Sequence, residues 1–386
     1  MTAIMSSQPA SIEGGAFRVL RMQITIPPFP GGMEKHVRRL SDEQRRQGCN
    51  VHLLFSQGAP LHHDDQRIGE GLIAAIRPQA LRSLVFFMAV LPELMRLRGR
   101  IDLVHTHGDW SMAVLGRMAK LLVAAPVSMV SVHGGPMRSR IRKFLQRFLG
   151  VADIVHATGR RDAERLSAQL RREVFWQASG IDDLFLSGSD EPAPRPLIQD
   201  KYLAVTVGVL RPKKNIDLVL DIAKSTDDWI FVVIGDGPQR EHLQRRVRDE
   251  SLGNVRLVGA LSAEEICRWH DVAHAFLCTS DVEGTPTSML EAMARGVPVV
   301  TSDCGDFRGI IEPGVTGWIV GDYMARSFVE RLTALEDDER QWQAMSSACR
   351  AYVGTRTWGR VATSITERMR LELMARSAGD SKRPQR

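Results

Sequence analysis

Two carboxylates eight positions apart, Glu283 and Glu291, are the residues whose types and spacing point most clearly to chemistry in this chain. Glu283 lies in a loop with Gly and Pro that follows the short apolar run Ala275–Thr279, an order that predicts a buried strand and then a turn. Glu291 lies on the helix predicted next, which Gly296 ends before the β-branched strand Val297–Thr301. One carboxylate is therefore expected at a strand's carboxyl end, where open α/β sheets bind ligands.

The start of this predicted helix is suited to an anion. Its first backbone N–H groups have no partner within the helix, and the helix dipole is positive at that end, so a phosphate would be stabilised there. A carboxylate next to it can bind sugar hydroxyls. We therefore predict a ligand site that includes Gly284, Ser288, Met289 and Leu290 with the two carboxylates. Either glutamate alone could also be an ordinary surface residue.

Two other loops offer groups that bind anions. The strand Arg18–Thr25 is followed by a loop with Gly31 and Gly32 and by a predicted helix, an arrangement that lets a backbone approach an anion closely. The loop after the predicted strand Tyr202–Val207 carries Arg211 and Lys214 at a helix start, where two cations could neutralise a diphosphate leaving group. The plainer alternatives are a tight turn and two exposed charges.

Histidines follow two of the predicted strands. His105 and His107 alternate along one strand, so both rings share a face, as a metal site would require. We see no carboxylate or cysteine partner at a fixed spacing, and we expect no metal. His133 ends the strand Val127–Val132 and faces the expected cleft, although a structural histidine is the default for such a position.

Composition sets the class of protein. The chain has 386 residues, enough for two domains, with 44% hydrophobic and 25% charged residues. The net charge of +6 suggests an anionic partner. A basic stripe with aromatics and a nucleic-acid reading module are both missing, so we expect no nucleic acid. Scattered cysteines, no apolar run long enough for a membrane helix and no signal peptide predict a cytoplasmic protein.

The string E-G-x-P-x-x-x-L-E-A-M-A-x-G-x-P-V-V, which begins at Glu283, resembles the Glu-x7-Glu signature of the retaining GT-B glycosyltransferases of the group 1 family. P-G-G-M-E-K-H, which begins at Pro30, resembles the P-x-x-G-G-x-E segment near the start of that family. The resemblance implies two Rossmann-like doubly wound domains that face a cleft. We place an acceptor-binding domain at 16–190, a nucleotide-sugar domain at 197–356 and a helix returning to the first domain at 357–376.

The same resemblance implies roles for individual residues. Glu283 would contact the hydroxyls of the donor sugar, Glu291 those of the ribose, and His133 the sugar near the reacting carbon, with Lys214 beside the diphosphate. His133, Glu283 and Lys214 are thus the expected catalytic residues. The expected donor-binding residues are Gly31, Gly32, Arg211, Lys214, Glu283, Gly284, Ser288, Met289, Leu290, Glu291 and Gly305.

The expected reaction transfers a sugar from a nucleoside-diphosphate-sugar with retention of configuration. No Asp-x-Asp is found, so amides and cations would act without a metal, and the donor is a co-substrate rather than a cofactor. A glycosidase would not need the anion sites. Val209 replaces a usual family Arg, and Arg308 with Gly309 replaces a usual Pro-Glu pair. A binding subunit without turnover, or another nucleotide-sugar enzyme such as an epimerase, is therefore the alternative.

Two basic segments bear on the acceptor. The segment Arg82–Arg100 is apolar with basic ends, which predicts either a core helix interrupted near Pro92 or a helix resting on a membrane surface. The run Arg138–Arg147 could be a solvated face or could hold an acceptor phosphate or an acidic membrane. A glycan or lipid-linked acceptor is therefore expected, with the inner face of the cell membrane as an alternative to a purely cytoplasmic location.

Overall fold

The structure is a computed structural model that describes residues 16–28, 31–76, 79–134, 144–187, 197–283, 287–336 and 338–380. Gly284, the segment 135–143 with most of the basic run, and the linker residues 188–196 lie outside the described residues. The described chain forms two parallel sheets, one in each half of the sequence. None of the helices in this part of the chain combines the length and the apolar composition that crossing a membrane requires.

The first sheet has seven parallel strands in the order β3-β2-β1-β4-β5-β6-β7. Its strands are β1 Arg18–Thr25, β2 Asn50–Gln57, β3 Asp65–Arg67, β4 Leu103–His107, β5 Val127–Val132, β6 Ile154–Ala157 and β7 Phe175–Trp176. The order reverses between β1 and β4, so the loops after these two strands leave on opposite sides and open a crevice.

The second sheet has six parallel strands in the order β10-β9-β8-β11-β12-β13. Its strands are β8 Tyr202–Val207, β9 Trp229–Ile234, β10 Val255–Gly259, β11 Ala275–Cys278, β12 Val299–Ser302 and β13 Gly317–Val320. Here the reversal lies between β8 and β11. Alternate residues of β8 enter two separate cores, Leu203 and Val205 one and Ala204 the other, so both faces are covered by helices.

Helices connect the strands on both faces of each sheet. Those of the first half are Gly32–Arg46, Glu70–Ala74, Gln79–Arg96, Trp110–Val123, Arg160–Leu170 and Asp183–Leu186. Those of the second half are Ile216–Ala223, Arg240–Asp249, Ala263–Val272, Thr287–Ala294, Ala325–Thr333, Glu339–Val353 and Trp358–Asp380. Short 3-10 turns lie at Gln146–Val151, Pro212–Lys214 and Phe307–Gly309.

The last helix, Trp358–Asp380, packs on the first sheet and not on the second. Its residues Trp358 and Ile365 lie in one core with Val19 of β1 and Leu103 of β4. The amide of Gln44 donates a hydrogen bond to the Thr366 hydroxyl at 2.8 Å. The C-terminal segment therefore joins the two halves of the molecule.

The predicted fold class, two doubly wound parallel α/β domains, is confirmed. The predicted interruption near Pro92 is wrong, because the helix Gln79–Arg96 runs through this residue. Proline leaves the carbonyl four residues earlier, that of Met88, without its helical partner. Met88 is 59% exposed, so this turn of the helix lies at the protein surface.

Candidate functional site

Lys214 and Glu283 form an ion pair at the carboxyl ends of β8 and β11, where the second sheet reverses its order. Nζ of Lys214 lies 2.5 Å from Oε1 of Glu283, and both side chains are largely buried. The Ser280 hydroxyl donates a further hydrogen bond to Glu283 at 2.9 Å. The two residues predicted to be catalytic in this half therefore meet at one point.

Backbone contacts fix the loop that carries Lys214. The Thr279 hydroxyl donates to the carbonyls of Lys214 and Asn215, and the Asp281 N–H donates to the carbonyl of Lys213. The loops after β8 and β11 are thus joined before any ligand binds.

Burial is the largest single influence on the pKa of Lys214 and lowers it, but attraction and hydrogen bonding to Glu283, together with the effects of Cys278 and Cys304, outweigh burial, and the net shift is upward. The ammonium is therefore charged at neutral pH. A buried cation next to a carboxylate is suited to an incoming dianion, since the diphosphate can take over part of the pairing that Glu283 provides.

Glu291 lies on the helix Thr287–Ala294 and is 6% exposed. Its Oε1 lies 2.5 Å from Nζ of Lys35, a residue of the helix that follows β1 in the first half of the chain. Lys35 also lies 3.1 Å from Oδ2 of Asp182, in the segment that leads out of the first half. Glu291, the carboxylate predicted to bind the ribose hydroxyls, therefore contacts the opposite domain.

The helix start at Thr287 offers backbone groups to the expected site rather than the side chains of residues 289 and 290. Met289 and Leu290 are fully buried in the core on one face of the second sheet, so their side chains cannot reach a ligand. The N–H groups of a first helical turn have no intrahelical partner. Ser288 is partly exposed. The predicted binding by residues 288–290 thus stays a prediction about their backbone amides and the serine hydroxyl.

On the opposite side, Gly31 and Gly32 lead into the helix Gly32–Arg46 without a side-chain cap. A Cβ on Gly31 would lie 2.0 Å from the carboxylate of Glu34, which the Thr25 hydroxyl holds at 3.0 Å. Gly32 faces open space, since a Cβ added there would meet no atom within 4 Å. Gly31 therefore leaves room for Glu34, and the uncapped amides remain available to an anion.

Histidine rings line the carboxyl ends of the first sheet's central strands. His36, His107 and His133 are grouped, with ring centroids of His36 and His133 4.6 Å apart. Nδ1 of His107 and Nε2 of His133 lie 3.1 Å apart and share a hydrogen bond. Behind them, His105 and His156 both contact the Ser131 hydroxyl at 2.7 Å. The predicted shared face of His105 and His107 is observed, with ring centroids 4.1 Å apart.

Burial keeps these histidines neutral. Burial, with a smaller contribution from the neighbouring His156 ring, lowers the pKa of His133 to about 3, and burial lowers the pKa of His156 to about 4. Burial is also the main reason that the pKa values of His36, His105 and His107 lie well below the usual range. His133 is therefore a neutral hydrogen-bonding group at the cleft.

Among the described residues, His36, His107 and His133 are the group that could hold a metal, with ligand nitrogens within 4.8 Å of one another. Nε2 of His36 and of His107 is buried without a partner there. Three neutral imidazoles suit zinc. However, the Arg21 guanidinium lies 3.1 Å from His105. This buried cation would repel a metal ion bound by the three histidines.

Gly305 follows β12 with φ of 55°, a conformation that favours glycine. The carbonyl of Gly305 accepts a hydrogen bond from Arg161 at 2.8 Å. The next residue, Asp306, accepts from the backbone N–H groups of Arg160 and Arg161 at 2.5 and 2.9 Å. The loop predicted to touch the donor is thus tied to the first half of the chain.

Arg211 is exposed at the start of the turn Pro212–Lys214, and no ion pair links it to another described residue. Its predicted donor contact stays a prediction. Arg308, which with Gly309 stands where the family usually has a Pro-Glu pair, is exposed and pairs with Asp303. The carbonyl of Gly309 accepts from the Tyr352 hydroxyl at 3.1 Å.

Three residues of this site were missed by the sequence reasoning: Lys35, His36 and Asp306. Each of them meets its partner across a long sequence separation, 256 residues for Lys35 and Glu291. The signal that could have indicated His36 is its place near the start of a helix that begins at the sheet's carboxyl end. Nothing in the local sequence indicates the partners of Lys35 and Asp306.

Comparison with known families gives two matches that follow each other along the chain. Residues 189–352 match the model of glycosyl transferases group 1. Residues 30–182 match the model of Glycosyltransferase Family 4. The first match contains Lys214, Glu283 and Glu291, and the second contains the histidine group.

Three curated relatives are similar to this chain. The amylovoran biosynthesis glycosyltransferase AmsK of Erwinia amylovora is 31% identical over 42% of this chain and 42% of its own length. A GDP-mannose-dependent alpha-(1-6)-phosphatidylinositol monomannoside mannosyltransferase of Mycolicibacterium smegmatis is 26% identical over 84% and 91%. A UDP-Gal:alpha-D-GlcNAc-diphosphoundecaprenol alpha-1,3-galactosyltransferase of Escherichia coli is 24% identical over 78% and 83%.

Among solved structures, sucrose-phosphate synthase from Thermosynechococcus elongatus is similar with a TM-score of 0.78 and 18% identity. The similarity covers 93% of this chain and all of that chain. At this identity the likeness concerns the fold alone.

Proposed function

We propose that this chain moves a sugar from a nucleoside-diphosphate-sugar to a glycan or lipid-linked acceptor, with retention of configuration and without a metal ion. The proposal is supported by the match of residues 189–352 to the group 1 glycosyl transferases and of residues 30–182 to Glycosyltransferase Family 4. The two family matches and the similar glycosyltransferases support the coarser statement, a glycosyltransferase acting on nucleotide-sugar donors. The stereochemistry, the metal independence and the roles of individual residues are the proposal.

The observation that carries the proposal is the ion pair of Lys214 and Glu283 at the reversal point of the second sheet. Departure of a sugar from a nucleoside diphosphate leaves negative charge on the β-phosphate, and a fixed cation lowers that barrier more than it stabilises the neutral parts of the substrate. Lys214 is charged, buried and held by backbone contacts, as such a role requires.

Retention is assigned from the Glu-x7-Glu resemblance. In the proposed arrangement, Glu283 orients the hydroxyls of the donor sugar, and neutral His133 donates or accepts a hydrogen bond near the reacting carbon. His133 stays neutral across the physiological range because burial lowers its pKa to about 3. It therefore contributes polarity and shape to the site without a net charge.

Metal independence rests on the number of alternative groups for the diphosphate. The uncapped amides at Gly31 and Gly32, the amides near Ser288 and Gly305, and the Lys214 ammonium can together neutralise it. A metal would be redundant for the leaving group in this arrangement.

The acceptor is proposed to be lipid-linked or a growing glycan. The mannosyltransferase relative acts on a phosphatidylinositol monomannoside and the galactosyltransferase relative on a diphosphoundecaprenol-linked sugar, according to their names. Acceptors of this kind lie at a membrane surface, which agrees with the basic charge of the chain.

A surface of the first half fits such a membrane. The helix Gln79–Arg96 buries Phe86, Val90 and Leu94, and on its opposite face it exposes large apolar side chains. The exposed set comprises Leu81, Leu84, Met88 and Met95, with Met118 and Leu121 on the adjacent helix. Residues at this spacing form one stripe along a helix. We propose that this stripe touches the interface of an anionic membrane.

The membrane proposal is tested with sedimented vesicles. Wild-type protein is expected to bind vesicles containing phosphatidylglycerol more than neutral ones, and a Leu84→Gln/Met88→Gln variant is expected to lose most of this binding. Leu371→Gln/Met374→Gln changes two exposed apolar residues of the last helix and serves as the control. Equal loss in both variants, or no binding at all, would contradict the proposal.

The function itself is tested with a panel of UDP-, GDP-, ADP- and CMP-sugars in the presence of EDTA. Turnover of one donor, with an α-linked product from an α-linked donor by NMR, is the expected result. Turnover that requires added metal would overturn metal independence, and inversion would overturn retention. Donor binding without hydrolysis or transfer would favour the binding-subunit alternative that Val209 and Gly309 raise. An isomerised nucleotide-sugar would favour the epimerase.

A further inference from the structure

Lys35 lies in the first turns of the helix Gly32–Arg46 and reaches across to the second half of the chain. Its Nζ lies 2.5 Å from Oε1 of Glu291 and 3.1 Å from Oδ2 of Asp182. Among the described residues, it is the one side chain that forms a hydrogen bond or ion pair with the Glu291 carboxylate. Neither Lys35 nor this contact was part of the expected donor site.

The contact solves a problem of charge. Glu291 and Asp182 are both nearly buried, and a buried carboxylate without a partner is strongly destabilised. Burial lowers the pKa of Lys35, but attraction to Glu291 and Asp182 raises it more, so the pKa lies above its usual range and the ammonium is charged. Lys35 therefore keeps the Glu291 carboxylate compatible with burial, and it shares Asp182 with a second cation, Arg39.

The contact also fixes direction. Lys35 holds Oε1 and so favours one orientation of the Glu291 carboxylate. This orientation also sets the position of the other oxygen, Oε2. Lys35 follows Gly31 and Gly32 on the same helix, so the groups proposed for the diphosphate and for the ribose are connected through one rigid element.

We propose that Lys35 is a positioning residue for the donor nucleotide, which acts through Glu291 on the ribose hydroxyls. This inference rests on the proposed function, because it requires that Glu291 binds ribose. Lys35 does not touch the transferred sugar. Its loss weakens binding of any ligand that carries the ribose diol and leaves the chemical step at saturating donor nearly unchanged.

The chain offers a matched control. Arg39 lies one helical turn after Lys35 and pairs with Oδ1 of the same Asp182 at 2.8 Å, but it has no contact with Glu291. Replacing Arg39 removes a cation from the same cluster and the same helix. An effect of Lys35 through general charge or through Asp182 would therefore appear in both variants.

The test is calorimetric titration with UDP, GDP and ADP, followed by the 2′,3′-dideoxy form of the nucleoside diphosphate that binds most tightly. Lys35→Met is expected to raise the Kd of the ribose form about ten- to hundredfold, the usual effect of losing a charged hydrogen bond. For the dideoxy form the increase is expected to stay within about threefold. Lys35→Arg is expected to restore most of the affinity, and Arg39→Met to change the Kd less than about twofold.

Unchanged or tighter binding by Lys35→Met, while Glu291→Gln weakens binding, would overturn the role of Lys35 and leave the proposed function intact. Equal weakening by Arg39→Met, or equal weakening for both ligand forms, would also overturn it. If neither Lys35→Met nor Glu291→Gln affects binding, the ribose site itself fails, and the inference fails with it. In the supporting case, the donor KM rises with the Kd while kcat changes little.

Discussion

The carboxylate of Asp306, in the loop after β12, caps a helix of the other half of the molecule, the one that begins at Arg160. Its two oxygens accept hydrogen bonds from the backbone N–H groups of Arg160 and Arg161. Gly159 precedes this helix and cannot supply a cap of its own. The helix is therefore completed by the opposite sheet, next to Gly305 of the expected donor site.

Asp306→Ala is expected to destabilise the protein by about 1 kcal/mol, the usual effect of losing a capping side chain. It is also expected to reduce kcat/KM several-fold, because the two halves lose a contact beside the cleft. Urea unfolding and steady-state kinetics measure the two effects.

Asp338→Ala is the matched control for this prediction. Asp338 caps the helix Glu339–Val353 and accepts from Arg340 and Gln341 within the second half. It should cost similar stability and leave kcat/KM unchanged. Equal kinetic effects in the two variants would show that the cap matters only for stability.

Gly235, which follows β9, is expected to tolerate no side chain. It has φ of 141°, and a Cβ would lie 1.9 Å from the carbonyl oxygen of Gly208, in the loop that leads to Lys214. Gly235→Ala should therefore destabilise by more than about 2 kcal/mol. Gly253→Ala, whose Cβ would meet nothing within 4 Å, should change stability by less than about 0.5 kcal/mol. A stable Gly235→Ala protein would contradict this close approach.

Stability is expected to fall as the pH drops from 7.5 to 5. His133 and His156 have pKa values of about 3 and about 4 in the folded protein, whereas unfolded histidine titrates near 6.5. Below that value the unfolded chain binds more protons, so each histidine removes up to about 1.4 kcal/mol per pH unit. Asp65 and Asp153, whose pKa values are lowered by their partners, lose their contribution only below this range.

Urea midpoints at several pH values measure this dependence. His156→Gln should flatten it between pH 6.5 and 5, whatever its effect on stability at pH 7.5. His63 is 91% exposed, and His63→Gln should leave the slope unchanged. A slope that His156→Gln does not alter would show that the buried histidines do not govern acid sensitivity.

The sequence predicted well the features that are encoded locally. The strands β1, β5 and β8 match their predicted bounds, because each is an apolar or β-branched run between clear turns. Glu283 was placed in the loop after β11 for the same reason. The strands β3 and β7, with three and two residues, are too short to produce a pattern.

Contacts across the cleft could not be predicted. Lys35 and Glu291 meet because two domains face each other, and no periodicity along the chain encodes that geometry. The histidine group also comes from separate elements, since His36 lies on a helix and His107 and His133 at two strand ends. The helix Gln79–Arg96 continues through Pro92, although proline inside a helical pattern ordinarily indicates an interruption.

The central claim is that the Lys214 cation stabilises the departing diphosphate. Its most direct test is kcat with the preferred donor in EDTA for Lys214→Gln, with Lys213→Gln as the control, since Lys213 is the exposed neighbour in the same turn. The account predicts that Lys214→Gln lowers kcat about 10²- to 10³-fold while the protein stays folded, and that Lys213→Gln changes it less than about twofold. A kcat of Lys214→Gln within about threefold of wild type, or an equal loss in Lys213→Gln, would contradict the claim.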